Sequence, residues 1–165
     1  MRLGAVPQKA ELVVLDAYHG HGTIWKNVQK RYAGRIRTLK IDKLQKDPTF
    51  VCIGENQKFI ESLDLKKFDV IDLDAYGVPY EQLDLLFRKK YCGVVFVTFI
   101  QSMLGGMPTG ILECAGYTKA MIEKCPTLFA KNGIEVMRRF LYKNGVRKIR
   151  IRSNGKKHYM CFAIG

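Results

Sequence analysis

Leu12-Val13-Val14-Leu15-Asp16-Ala17-Tyr18-His19-Gly20-His21-Gly22-Thr23 is the stretch on which the fold turns. Four consecutive apolar residues suit a strand buried on both faces of a parallel sheet, where alternation is lost. The run ends in an acid, passes two glycines and reaches a helix-compatible segment at Thr23. Glycines allow a sharp turn and a close approach of backbone to a ligand, and the helix that follows aims its first amides at the same place. A nicotinamide-type G-x-G-x-x-G turn needs a third glycine where Trp25 stands, and that side chain is too large for close helix–strand packing.

Outward from this turn, the chain alternates strand and helix. Ile24, Val28 and Tyr32 share one face of a helix expected over Thr23–Tyr32, with Gly34 as its stop. Arg35–Asp42, Phe50–Ile53, Phe68–Leu73 and Gly93–Ile100 read as further strands, the last almost unbroken in apolar and β-branched residues. A helical turn passes through Phe59, Ile60 and Leu63. Pro79 suits the first position of a helix running to about Tyr91, with Leu83, Leu86 and Phe87 on its apolar face. After the loop Gly105-Gly106-Met107-Pro108, helical patterns cover Tyr117–Lys131, interrupted at Pro126, and Ile134–Lys143, with Gly145 as C-cap. Val146–Ile151 and His158–Ile164 flank Asn154-Gly155, a strong hairpin signal. The expectation is a single α/β domain over residues 1–165: a three-layer α/β/α sandwich whose mostly parallel seven-stranded sheet closes with an antiparallel C-terminal hairpin strand.

Composition narrows the function classes. With 165 residues, 47% apolar and 26% charged, the chain is of globular character and too hydrophobic for a disordered one. Its longest apolar-leaning run, Gly93–Leu104, is short of the roughly 20 residues of a spanning helix and carries Thr98, Gln101 and Ser102. Nothing at the amino terminus reads as a signal peptide. A soluble, cytoplasmic protein without a membrane partner is therefore expected. Five singly spaced cysteines and three histidines show no metal-ligand spacing, so no metal is assigned.

The net charge of +13 is unevenly spread. Residues 26–46 carry +7 and residues 131–165 carry +9, while 47–130 carry −3. Such blocks suit a polyanion, since each cation set against a phosphate releases a counterion. Arg138, Arg139, Arg147, Lys148, Arg150, Arg152, Lys156 and Lys157 are the candidate phosphate contacts of a nucleic-acid partner. A merely solvated basic surface is the plain alternative.

The acid, three residues, Gly, any residue, Gly pattern of Asp16, Gly20 and Gly22 resembles the first motif of class I, Rossmann-like S-adenosylmethionine-dependent methyltransferases. The resemblance extends over nearly the whole chain. It implies S-adenosylmethionine as cofactor, held by Asp16, Gly20, Gly22, Asp42 on the ribose hydroxyls and Glu55 near the adenine amine. After the fourth strand, Asp72-Leu73-Asp74-Ala75-Tyr76-Gly77-Val78-Pro79 resembles the D-x-D-P-[FY]-G-x-P segment of tRNA guanine-N2 methyltransferases, and more loosely the [DNS]-P-P-[YF] segment of DNA amino-methyltransferases. Ala75 stands where those families carry proline.

The resemblance implies transfer of a methyl group to an exocyclic amine of a nucleic-acid base, with RNA ahead of DNA. Asp74 is the first candidate for gripping the amine protons, Asp72 the second, and Tyr76 would stack on a base taken out of its helix. The loop Gln101–Pro108 would close over the site as a lid. No cysteine sits where carbon-5 methylation of cytosine would need a nucleophile, and no G-x-S-x-G or phosphate-loop pattern occurs. The alternative from another class is a non-catalytic nucleic-acid-binding protein that retains the methyltransferase fold, which Ala75 favours. Methylation of a protein or small molecule is a third.

Overall fold

The computed structural model describes residues 2–75, 77–100, 109–125 and 128–165. In chain order it comprises β1 (Glu11–Asp16), α1 (Thr23–Gln29), β2 (Arg35–Asp42), β3 (Cys52–Ile53), α2 (Asn56–Ser62), β4 (Val70–Leu73), α3 (Tyr80–Arg88), β5 (Gly93–Ile100), α4 (Thr109–Cys114), α5 (Lys119–Lys124), α6 (Leu128–Lys143), β6 (Ile149–Asn154) and β7 (Lys157–Ile164). The strands form one sheet in the order β3-β2-β1-β4-β5-β7-β6, with β7 alone running against the rest. The chain thus has the α/β sandwich expected from its pattern.

Period-two alternation sorts the strands onto two unequal faces. Leu15, Ile71, Val95, Val97, Phe99, Met160 and Phe162 point into the larger core. There they meet Ile60 of α2, Leu83 and Leu86 of α3, and Met137, Phe140 and Leu141 of α6, spaced i, i+3, i+4 as an amphipathic helix requires. Each such leucine, fully buried, contributes roughly 1.5–3 kcal/mol. Leu12, Val14, Val70, Phe96 and Cys161 face the other way, onto α1 through Trp25 and onto the amino-terminal segment through Val6. Lys9 donates its amide to the Tyr32 hydroxyl at 2.8 Å, and that hydroxyl donates to the Pro7 carbonyl at 2.7 Å, pinning this segment to the sheet.

Several boundaries differ from the pattern-based expectation. Helix α1 ends at Gln29 rather than Tyr32: the Arg31 and Tyr32 amides both converge on the Val28 carbonyl, at 3.0 Å each, and the Tyr32 hydroxyl holds Pro7 and Lys9. Pro79 is the N-cap of α3 and not its first turn residue. Strand β6 lies three residues later than expected, since Val146 is buried at the end of α6 and its amide bonds the Leu141 carbonyl at 3.0 Å. The hairpin register is then set by a two-residue turn between Asn154 and Lys157, with Gly155 at φ +57°. No helix among the described residues is long and apolar enough to cross a membrane.

Candidate active site

Three neighbouring strands bring acids to the carboxyl edge of the sheet. Strand β2 ends in Asp42, β1 in Asp16, and Asp74 follows β4 directly. Crevices outside the carboxyl ends of parallel strands are where open α/β sheets bind ligands.

The glycine turn leaving β1 has two different halves. Gly20 (φ +55°) and Gly22 (φ +68°) both sit in the left-handed region that favours glycine. A Cβ at Gly22 would lie 2.5 Å from the His19 ring and 2.6 Å from Asp47 Oδ2, so this glycine is needed for packing inside the protein. A Cβ at Gly20 would meet nothing within 4 Å, so this backbone borders open space. The Gly20 amide donates to Asp42 Oδ2 at 2.7 Å, and the Leu44 amide to Asp42 Oδ1 at 3.1 Å, which fixes the Asp42 carboxylate beside that space.

His19 is the unexpected centre of the turn. Its Nδ1 lies 2.8 Å from Asp16 Oδ2 and its Nε2 2.8 Å from Asp47 Oδ2, with all three side chains buried. Asp47 also receives Lys26 Nζ at 2.9 Å, with Lys40 Nζ at 3.7 Å. The hydrogen bond to Asp16 raises the His19 pKa from its ordinary value, burial opposing it and Asp47 adding to it. The hydrogen bonds from Lys26, Thr49 and His19 hold the Asp47 carboxyl well below the usual carboxylate range. An imidazolium donating to both acids satisfies every member of this network. Asp16 therefore orders the turn through His19.

Asp72, expected beside Asp74 at the substrate, is instead internal: its side chain is 1% exposed. Arg2 grips it with a fork, Nε to Oδ2 at 2.7 Å and Nη2 to Oδ1 at 2.9 Å, and Trp25 Nε1 donates to Oδ2 at 2.8 Å. Burial pushes the Asp72 carboxyl up to about 6, against the pull of Arg2. The Arg2 guanidinium lies over the Phe96 ring at 5.5 Å, and its Nη2 is 3.9 Å from Asp74 Oδ2. Asp74 itself stays partly exposed, at 24% of its side chain. The two acids are joined through Arg2, one as its anchor and one at the open edge.

Glu55 is exposed and pairs with Lys43 at 3.1 Å. The next residue, Asn56, is buried; its Nδ2 donates to the Ala17 carbonyl at 3.3 Å and its Oδ1 accepts from Gln82 at 3.1 Å, tying the start of the glycine turn to α3. Tyr76 and the loop 101–108 lie outside the described residues.

The basic tail does not form one surface. Arg138 and Arg139 stand on α6, on the side of the larger core, with Arg139 3.6 Å from Glu135. Arg150 and Arg152 point to the opposite side of the sheet, since Ile149 and Ile151, which alternate with them, pack on the larger core. Lys157 lies over the Tyr159 ring at 5.3 Å, on that same opposite side. Arg147 and Lys148 occupy the α6–β6 connection, and Lys156 the hairpin turn.

Sequence reasoning missed Arg2, Asp47, Lys26 and the role of His19. The Asp16–His19 spacing of three residues was the one available signal. Asp47 is 28 residues from His19 and Arg2 is 70 from Asp72, with no motif joining either pair.

At the level of sequence, no protein-family model and no curated protein matches the chain. Solved structures do. They include a provisionally assigned methyltransferase from Escherichia coli, 12% identical with a TM-score of 0.54, covering 92% of this chain and 75% of that one. A provisionally assigned rRNA methylase from Clostridium thermocellum is 14% identical with a TM-score of 0.52, covering 99% and 91%. Human N-acetylserotonin methyltransferase in complex with S-adenosylmethionine is 14% identical with a TM-score of 0.51, covering 93% of this chain and 47% of that one. The sheet order, the reversed β7 and these likenesses agree: the chain has the fold of the class I S-adenosylmethionine-dependent methyltransferases.

Proposed function

We propose that the chain is an S-adenosylmethionine-dependent N-methyltransferase acting on an exocyclic amine of a nucleic-acid base, with RNA as the favoured substrate. The observation that carries this reading is the alignment of Asp42, the open backbone at Gly20, and Asp74 along three consecutive strand ends.

The residues present suit the cofactor. Asp42 has lone pairs left beyond the two amides it accepts, enough for ribose hydroxyls. Leu44 and Ile53, next to Asp42 in chain and in register, are 63% and 50% exposed and offer apolar surface to an adenine ring. Glu55, just beyond them, would accept from the adenine amine after leaving Lys43. When bound, the cofactor supplies an electrophilic methyl group on a sulfonium.

The protein's own part is positioning. A base amine is a weak nucleophile because its lone pair is delocalised into the ring. Asp74 accepts the amine protons, localises that pair and orients it in line. Arg2, locked by Asp72, which Trp25 holds in turn, sets a guanidinium 3.9 Å from the Asp74 carboxylate. Tyr76, two residues on, supplies the stacking ring, worth roughly 1–3 kcal/mol. The second reading, a nucleic-acid binder without turnover, draws on the buried Ala75 in place of a stiffening proline.

Tritiated-methyl transfer into RNA, DNA and protein pools tests the proposal. RNA is expected to be labelled, and Asp74→Asn is expected to lower the rate by about 10²–10⁴-fold while leaving cofactor affinity within about twofold. Labelling of protein alone, or equal labelling by Asp74→Asn, would contradict it.

A further inference from the structure

On the side of the sheet that carries α1, the amino-terminal segment and α1 also cover β5 and β7 at Phe96 and Cys161, whereas toward the hairpin end the face is open: Tyr159 is half-buried and Arg150, Arg152 and Asn154 are exposed. Residues there fall into register rows running across three strands: Phe96–Cys161–Arg150, then Thr98–Tyr159–Arg152. A cavity of about 380 Å³ opens on this face, and Thr98, Tyr159, Arg152, Asn154 and Arg2 are among the residues that line it.

Three features of this cavity lack a purpose inside the protein. Thr98 is 1% exposed, and its hydroxyl finds no hydrogen-bond partner among the described residues. A buried hydroxyl left unsatisfied costs about 1–3 kcal/mol, so its retention asks for a ligand. Arg152 is exposed and has no carboxylate within ion-pair distance among the described residues. Tyr159 is half-buried, with Lys157 poised over its ring. An aromatic ring set among cations in the lining of a cavity offers stacking to a base and charge to the neighbouring phosphates. The cavity is also joined to the proposed reaction site: Arg2 lines it and stands 3.9 Å from Asp74.

We propose that this open face is the track of a single-stranded polynucleotide, and that the cavity holds one nucleotide neighbouring the target, its base on Tyr159, its edge bonded to Thr98 and its phosphate at Arg152. The inference rests on the reading that the chain acts on a nucleic acid. It divides the labour within the basic tail: Arg152 and Lys157 face the strand, Arg150 donates to the Gly4 carbonyl at 3.3 Å, and Arg138 and Arg139 belong to the far side of the molecule.

Fluorescence anisotropy of the full chain with a labelled oligouridylate of about twelve nucleotides tests it, with an oligothymidylate of equal length as second arm. Tyr159→Ala is expected to weaken binding about tenfold to a hundredfold, and Tyr159→Phe to restore it to within about twofold. Arg152→Ala should weaken binding and make the dependence of log affinity on log salt shallower by about one unit. Thr98→Val, nearly isosteric, should weaken binding while the melting temperature holds or rises. Lys66→Ala, before the amino end of β4, is the control that should change nothing. Binding of either oligonucleotide with these effects supports the proposal. Wild-type affinity in Tyr159→Ala and Arg152→Ala, or no binding in either arm, overturns it.

The two readings fail separately. Methyl transfer to nucleic acid that is indifferent to Tyr159 and Arg152 would sink the track and leave the methyltransferase standing. An oligonucleotide held through these residues by a protein that transfers no methyl would do the reverse.

Discussion

The two ends of the sheet's carboxyl edge treat polar groups in opposite ways. Around β2, β1 and β4, buried charges are matched within the chain: His19 by Asp16 and Asp47, Asp47 by Lys26, Asp72 by Arg2 and Trp25. Around β5, β7 and β6, a buried hydroxyl at Thr98 and an exposed cation at Arg152 are left unmatched among the described residues. A folded chain satisfies what it buries unless something else is to satisfy it. The first end is therefore read as scaffold, with Gly20 and Asp42 as its working surface, and the second as a surface built for a ligand.

The contrast can be broken most forcefully at Asp72. Replacing it by alanine strands the Arg2 guanidinium in a buried setting and removes the partner of Trp25, which should cost about 3–5 kcal/mol of unfolding free energy in a chemical denaturation series. Substitutions on the open face such as Arg152→Ala should, by comparison, stay within about 0.5 kcal/mol of the parent. An Asp72→Ala protein as stable as the parent would remove the distinction between scaffold and surface.

A smaller effect sharpens the same contrast through pH. His19 has a pKa raised above its ordinary 6.5, so its contribution to stability is fully present below that value and is lost as pH climbs through the higher folded-state pKa. Asp47, with a lowered pKa, contributes above its ordinary 3.8 and loses that contribution as pH falls. The share of the melting temperature that this network supplies, read as the parent minus His19→Gln so that the raised Asp72 carboxyl cancels, should therefore be greatest between about 4 and 6.5 and shrink on the alkaline side. A difference that stays constant there would place the origin of any alkaline decline elsewhere.

Much of the fold was legible because long apolar strands announce themselves. Arg35–Asp42 and Gly93–Ile100 match their observed bounds, being runs rich in β-branched and apolar residues closed by Gly34, Gly93 and the ends of the pattern. Helix α4 was invisible, since six residues after a glycine- and proline-bearing loop carry too little periodicity. In the site, Asp16, Asp42 and Asp74 reach one edge as their positions after strands implied. The two acids that proved internal, Asp16 and Asp72, were not separable from the others, because what captures them, His19 with Asp47 and Arg2 with Trp25, depends on contacts between distant segments. Tyr159 read as one more hairpin residue; only the register of β5, β7 and β6 sets it beside Thr98 and Arg152.

The central claim is that the open edge bordered by the Gly20 backbone and the Asp42 carboxylate receives an adenosyl sulfonium. Isothermal titration calorimetry with S-adenosylmethionine tests it directly, comparing the parent with Gly20→Val, which fills the open space beside a backbone at φ +55°, and with Asp42→Asn. Saturable one-to-one binding by the parent, weakened about tenfold or more in both variants at unchanged fold by circular dichroism, is the predicted result. No heat at millimolar cofactor, or binding that both variants retain in full, would contradict the account.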